Sequence, residues 1–265
     1  MQIVGFEDIH KRCNYGVRVS QDEIHSIQGD LFGSFRQTSI VAPVERLLAP
    51  VAPPNIIAIG ANYAGHAKEA GKKVPDHPLV FVKLTTTVIG PGQPIVLPAE
   101  APNEVDYEAE LAIVIGRTCR NVPESEALKY VLGYTCGHDV SARDCQMRLD
   151  GQWARGKSFD TFCPLGPWIE TDLDPSDLRV RLILNGQVMQ DGRTSQMLFP
   201  PAMLVSYLSR QFTLLPGTVI MSGTPEGVGN FRKPPVFLRD GDEVTVEVEG
   251  IGSLTNPVRA AGAER

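Results

Sequence analysis

The chain has 265 residues, 42% hydrophobic and 21% charged, with a formal net charge of -6; such a composition suits an ordinary globular protein of one large domain, or one domain with a small appendage. The acidic balance gives no general basic footprint for nucleic acid, no apolar run approaches a membrane span, and the start Met1-Gln2-Ile3-Val4 lacks the order of a signal peptide. Five scattered cysteines without a CxxC pair fit a reducing compartment better than a disulfide framework or a zinc site, so a cytoplasmic protein is expected.

Residues 1–50 read as a small N-terminal domain. Val17-Arg18-Val19 and the turn Gln28-Gly29-Asp30 predict short strands and a hairpin, and Ala42 to Leu48 a helical turn or two. The Pro-rich stretch closing at 51–54 reads as a linker, and 55–260 as the main domain. That domain opens with a buried strand, Asn55 to Gly60, followed by helix-forming residues from Ala61 to a Gly stop at Gly71. His66 and Glu69 are three apart and neighbours on a helical turn, and a carboxylate beside an imidazole prepares a general base. A solvated His–Glu pair is the plainer explanation of the same spacing. The glycines and the polar run Lys72-Lys73-Val74-Pro75-Asp76 suit a mobile lid.

After a strand at Leu79 to Lys83 comes the acidic run Glu104-Val105-Asp106-Tyr107-Glu108-Ala109-Glu110, leading into Leu111 to Ile115 and read with it as one strand. Side chains two apart share a strand face, which places Glu108 beside Glu110 and extends the face through Glu104 and Asp106. Stacked carboxylates entering an apolar segment repel, and a hard divalent cation would resolve the conflict. An exposed acidic edge strand that leads into the core accounts for the pattern equally well.

Pro123 to Leu132 has the first turn and spacing of a short amphipathic helix. The run from Gly133 then ends in His138-Asp139-Val140-Ser141-Ala142-Arg143-Asp144, where Asp139 could supply a third oxygen ligand. His138 points to the opposite face and reads as a packed or hydrogen-bonded histidine, and Asp144 as a partner of Arg143 or a cap for a turn through Gln146 and Met147. Lys157, if buried beside a bound anion, would stabilise an oxyanion or enolate; if exposed, it is one lysine of many. Arg179 to Met189 predicts a hairpin about Asn185-Gly186, and Pro200 to Phe212 a helix. A strand at Thr218 to Ser222 enters the loop Gly223-Thr224-Pro225-Glu226-Gly227-Val228-Gly229, whose N–H groups suit a carboxylate or phosphate, though it is neither a Walker nor a Rossmann motif. Pro235 to Leu238, the turn Asp240-Gly241 and Glu243 to Glu249 predict a final hairpin.

In this order, His66-x-x-Glu69, Asp106 to Leu111, His138 to Asp144, Lys157-Ser158-Phe159-Asp160 and Gly223 to Gly229 closely resemble the fumarylacetoacetate hydrolase family over about residues 54 to 258. Phe159 to Pro167 and Phe231 to Leu238 resemble its domain-containing protein 2 type. The resemblance implies an α+β, mainly β fold, a mixed β-sandwich roll with a few short helices, usually a homodimer. It implies Mg²⁺, or Mn²⁺ or Ca²⁺, on Glu108, Glu110 and Asp139; a catalytic His66–Glu69 dyad on a lid, with Lys157; and substrate contacts from Arg143, Gln146 and Thr224. Some acylpyruvate-cleaving members have Gly-Arg-Asn-Tyr where this chain has Gly60-Ala61-Asn62-Tyr63, so a cation for a second substrate carboxylate is missing from that position.

The expected activity is divalent-metal-dependent chemistry on small 2-oxo or 2,4-dioxo carboxylic acids through a metal-bound enolate. Its main form is C–C bond hydrolysis of the acylpyruvate or fumarylacetoacetate type. The alternatives are oxaloacetate keto–enol tautomerisation or decarboxylation with the same enolate, and, in another class, a non-catalytic metal-binding family member. The partner expected in each active case is a small 2-oxo acid, with no nucleic acid and no membrane.

Overall fold

In the computed structural model, which describes residues 1–262, the strand Ala109–Ile115 is buried on both faces. That double burial is why its sequence is an unbroken apolar run rather than an alternation. It pairs antiparallel with Val131–His138 on one side and Val219–Met221 on the other. From edge to edge the sheet continues as Phe35–Val41, Ile24–Gly29, Cys13–Arg18, Gln2–Asp8, Cys163–Glu170, Val131–His138, Ala109–Ile115, Val219–Met221, Ile56–Gly60 and Leu79–Lys83. A second sheet of five strands runs Gln187–Arg193, Arg179–Leu184, Glu243–Val248, Gly252–Ala260 and Ile95–Leu97.

The two faces of Ala109–Ile115 belong to different cores. Leu111 and Ile113 pack with Val180, Leu182, Val246 and Leu254 of the second sheet and with Leu204 and Leu208 of the helix Pro201–Gln211. Ala112 and Val114 pack on the other side with Ile56, Ala58, Leu165, Met221 and Ile3. The result is α+β and mainly β, two packed sheets with a few short helices, as expected. No helix among the described residues is long and apolar enough to cross a membrane.

Most local signals led to the expected elements. Asn185 and Gly186 have φ of 50° and 79° and close the hairpin between Arg179–Leu184 and Gln187–Arg193, since such tight turns need positive φ at both positions. Pro123 to Leu132 forms a turn of helix at Glu124–Ala127, continues as a 3₁₀ turn at Leu128–Tyr130, and passes into strand at Val131.

Three local readings are corrected by tertiary pairing. Val44–Leu48 is a strand paired with Gln2–Asp8, not a helical turn, because an available sheet edge outweighs a weak local preference. Gln2–Asp8 also pairs with Cys163–Glu170, which makes residues 2–48 continuous with the large sheet. Glu104 to Ile115 is not one strand: Val105–Asp106 pairs with Ser141–Ala142 in a separate ribbon, and the chain changes sheet across Tyr107 and Glu108. Finally, Glu243–Val248 pairs with Gly252–Ala260 rather than with Pro235 to Leu238. Prolines 234 and 235 donate no N–H, so that stretch cannot sustain a ladder.

Ile113 is 0% exposed between the two sheets. Ile113→Ala is predicted to destabilise the protein by about 2–5 kcal/mol, read as a lower midpoint with an unchanged slope in denaturant unfolding.

Candidate active site

Strand register assembles the acidic cluster. Ala109 lies opposite His138, so the next pair outward is Glu108 and Asp139, closed by the Asp139 N–H donating to the Glu108 carbonyl at 3.0 Å. Opposite residues share a face, as do Glu108 and Glu110 two apart on one chain. Carboxylate oxygens of Glu108, Glu110 and Asp139 therefore lie within 4.8 Å of one another, all three residues buried. Glu104 is not among them; it pairs with Arg148 nearer the surface. Asp106 is buried but turned away, held by Arg143 Nε at 2.5 Å and by the Asn230 N–H at 2.7 Å.

Buried cations surround the cluster. Lys157 Nζ donates to Glu108 Oε2 at 2.9 Å and to Asp139 Oδ2 at 2.7 Å. Arg143 Nη2 reaches Glu108 Oε1 at 2.6 Å, and its Nη1 reaches Gln146 Oε1 at 2.8 Å. Lys83 Nζ donates to Asp139 Oδ1 at 2.6 Å and to the Lys157 carbonyl. Lys83 was read only as the last residue of a strand. The sequence carries no signal for this, since Leu79 to Val82 are all apolar and do not mark an inner face; in the structure Val80 and Val82 are exposed, and Lys83 lies on the side of Leu79 and Phe81.

A cavity of about 320 Å³ is lined by His66, Glu108, Arg143, Gln146, Lys157 and Thr224, whereas Glu69, Glu110 and Asp139 are not among its lining residues. His66 sits on the helix Ala64–Glu69 with Nδ1 2.8 Å from Glu69 Oε1, and Glu69 Oε2 accepts the Gly227 N–H at 2.9 Å. Two N–H groups of the glycine loop, those of Gly223 and Gly227, are thus spent on the protein's own carboxylates. Gly223 N–H donates to Glu110 Oε2 at 2.8 Å. Its φ of 97° and the 2.7 Å between a notional Cβ and Asn62 Cβ require glycine there. The Thr224 hydroxyl is committed as well, donating to the Ala109 carbonyl at 2.9 Å and accepting from Gln190 Nε2 at 2.8 Å. Gln190, Phe81, Trp153 and Phe231 carried no sequence signal of their own; they reach the site only through folding.

The model of the fumarylacetoacetate (FAA) hydrolase C-terminal family matches residues 55–259. The chain belongs to that family. It is 48% identical over 232 residues to the fumarylacetoacetate hydrolase domain-containing protein 2 homolog of Dictyostelium discoideum, covering 82% of this chain and 76% of the relative. It is 49% identical over 217 residues to the Xenopus laevis protein named oxaloacetate tautomerase, mitochondrial, covering 80% and 68%. The crystal structure of 5-carboxymethyl-2-hydroxymuconate delta-isomerase from Mycobacterium smegmatis superposes with a TM-score of 0.88 at 47% identity, covering 98% of this chain and 100% of that one. Like these relatives, the chain is an enzyme.

The electrostatics of this family member separate the carboxylates. Burial works to raise Glu108, but Lys157 and Arg143 outweigh it and hold the carboxyl well below its usual range. Burial also works against the charged Lys157, yet Asp139 and Glu108 raise its pKa. Glu110 has the single Gly223 N–H and no ion-paired cation among the described residues; burial, then the Asp139 and Glu108 charges, push it well above a normal carboxyl. Burial and then Lys83 push His138 down to about 3, which makes it a neutral packed imidazole. The donor chemistry of the cluster, three buried hard oxygens with one poorly compensated, fits a divalent cation.

Because Glu110 is raised, it is protonated in the metal-free protein from the ordinary carboxyl range up to that higher value. Binding a divalent cation must expel this proton, so affinity is predicted to rise with pH through that window. Calorimetry in buffers of different ionisation enthalpy should show about one proton released per ion bound, and Glu110→Gln should remove most of it.

Proposed function

We propose that this enzyme interconverts the keto and enol forms of a small 2-oxo carboxylic acid, with oxaloacetate as the candidate substrate. The observation that carries the reading is that His66, oriented by Glu69, and the buried Lys157 line one cavity together with Glu108, the member of the Glu108–Glu110–Asp139 cluster that reaches it. The names of relatives as a tautomerase and an isomerase support this form of the chemistry better than C–C hydrolysis.

Glu108, Glu110 and Asp139 would hold Mg²⁺, or Mn²⁺ or Ca²⁺, whose bound charge would polarise a substrate carbonyl and favour its enolate. The Glu69 carboxylate can only accept, so His66 Nδ1 carries the proton and Nε2 is left as the base. In the enolising direction Nε2 takes a proton from the carbon beside the 2-oxo group. The negative charge moves to the oxygen, which takes a proton from water to become the enol while His66 gives its added proton back to solvent; ketonisation is the reverse. Lys157, held cationic by its two carboxylates, stabilises that oxygen charge. Gln146 accepts from Arg143 through Oε1 and keeps its amide N–H groups for the substrate. Arg143 spends three of its five N–H donors on Asp106, Glu108 and Gln146, so it both orients Glu108 and retains capacity toward an anion. Thr224, with its hydroxyl occupied, would contribute its backbone N–H.

The family match beginning at residue 55 supports treating residues 1–50 as an appended unit docked through Gln2–Asp8. The exposed apolar side of the edge strand, Val80 and Val82, with Leu84 and Phe212 nearby, supports the homodimer.

The test is the enol absorbance of oxaloacetate, followed with Mg²⁺-loaded protein. Ketonisation accelerated over buffer and abolished by EDTA is the expected result; pyruvate released from acetylpyruvate without such acceleration would favour hydrolysis instead. Glu108→Ala should abolish metal binding. His66→Ala should lower turnover by about 10²- to 10⁴-fold while metal affinity stays nearly intact, and equal loss of both would sink this division of roles.

A further inference from the structure

Three cationic side chains line the cavity, and two are already committed. Arg143 is bound by Asp106, Glu108 and Gln146, and Lys157 by Glu108 and Asp139. The third, Lys72, has no carboxylate partner among the described residues; its neighbour Lys73 is the one that pairs with Asp76. Asp150 also lines the cavity, but both its oxygens are taken by Arg155 at 2.7 Å.

The position of Lys72 is built. Its backbone N–H donates to the Ala67 carbonyl at 2.9 Å, tying it to the helix that carries His66. Its Nζ lies 4.9 Å from the ring centroid of Trp153. Trp153 in turn stands edge-on to Phe81 at 5.4 Å and presses on Gly60, where a Cβ would come within 2.6 Å of Cζ3. The ammonium is therefore held at the cavity wall with its hydrogen-bond donors unspent. A cation over an aromatic face is held less firmly than one bonded to a carboxylate, so an arriving anion can draw it off the ring. The Lys72 side chain is exposed at the rim; burial of its inner part, then the Arg143 charge, lowers its pKa, while Glu108 opposes this.

We propose that Lys72 is the specificity-determining cation for a second carboxylate, so that the preferred substrate is a 2-oxo dicarboxylic acid rather than a monocarboxylic one. This rests on the 2-oxo acid reading above. Arg143 and Lys157, bonded to the carboxylate cluster, serve the reacting end, Ala61 brings no charge to the wall, and among the described residues Lys72 is the lining cation not bonded to a carboxylate.

The test compares oxaloacetate with its 4-methyl ester, which differs only in the distal charge, on Mg²⁺-loaded protein. Binding is read separately with 3,3-dimethyl-2-oxobutanedioate and its 4-methyl ester, which have no proton at C3 and cannot enolise, by calorimetry and by Trp153 fluorescence with Trp153→Phe as the control. Lys72→Met is expected to weaken binding of the diacid, and to raise KM for oxaloacetate, by about 10- to 100-fold while leaving both esters unchanged. Lys72→Arg is expected to restore the preference, and only the diacid should perturb Trp153. Equal effects of Lys72→Met on diacid and ester, or none on either, would overturn the proposal. Lys72-dependent preference for the dimethyl diacid in a protein that does not turn over oxaloacetate would uphold the clamp and remove the tautomerase reading.

Discussion

Buried carboxylate charge is the constraint around which this molecule is arranged. Asp106, Glu108, Glu110 and Asp139 are withdrawn from water at the meeting point of two cores, and the buried cations Lys83, Lys157 and Arg143 are three against four, a difference met by the raised pKa of Glu110, which keeps its proton. Ions buried without partners each cost several kcal/mol, so this centre is tolerable only because nearly every oxygen has a donor. Burial drives two of the four carboxyls up: Asp106 to about 6 despite its Arg143 partner, and Glu110, which has no ion-paired cation among the described residues, well above the usual range. Cations that hold Glu108 and Asp139 in place also compete with an incoming metal ion, which leaves Glu110 as the carboxyl with charge to offer once its proton is lost.

The geometry comes from strand register rather than from loops. Pairing Ala109 with His138 places Glu108 against Asp139, and a slip of one residue would exchange Asp139 for the neutral His138 on the shared face. Register is fixed because Leu111 and Ile113 belong to one core and Ala112 and Val114 to the other. The hydrophobic burial that makes the strand central therefore also sets the carboxylate positions. A site on such an element is held more tightly than one built on a mobile segment. Other lining residues come from short helices and a loop: His66 from Ala64–Glu69, Gln146 from Cys145–Leu149, Lys157 from Ala154–Lys157, and Thr224 from the glycine loop.

Legibility in the sequence followed the range of the interaction. The acidic pair, the His–Glu spacing, the Asn185-Gly186 hairpin and the Pro201–Gln211 helix depend on near neighbours and could be read directly. The break at Tyr107 could not, because it reflects the competing partner Ser141–Ala142, and neither could the strand at Val44–Leu48, which exists by pairing with Gln2–Asp8. Lys83 lay between these cases. Alternation puts it on the side of Leu79 and Phe81, but only the fold shows that side to be the inner one, and its partners come from Asp139 and Lys157, distant along the chain. The Gly223 to Gly229 loop was read as a ligand grip. Its backbone does grip carboxylates, but those of the protein itself.

That last difference bears on how the site works. One loop binds Glu110 through the Gly223 N–H and Glu69 through the Gly227 N–H, so it joins the carboxylate cluster to the His66 helix. A shift of the loop that loosens Glu110 must also disturb the carboxylate that orients His66. Conversely, an ion that organises Glu110 stabilises the loop conformation in which Glu69 is held. The His66–Glu69 pair and the carboxylate cluster are then two ends of one hydrogen-bonded segment, whose glycines at φ of 97° and 102° permit the backbone to present both N–H groups. Coupling of this kind would make the oriented imidazole most populated when the charge-stabilising centre is also complete, because both depend on the same loop conformation.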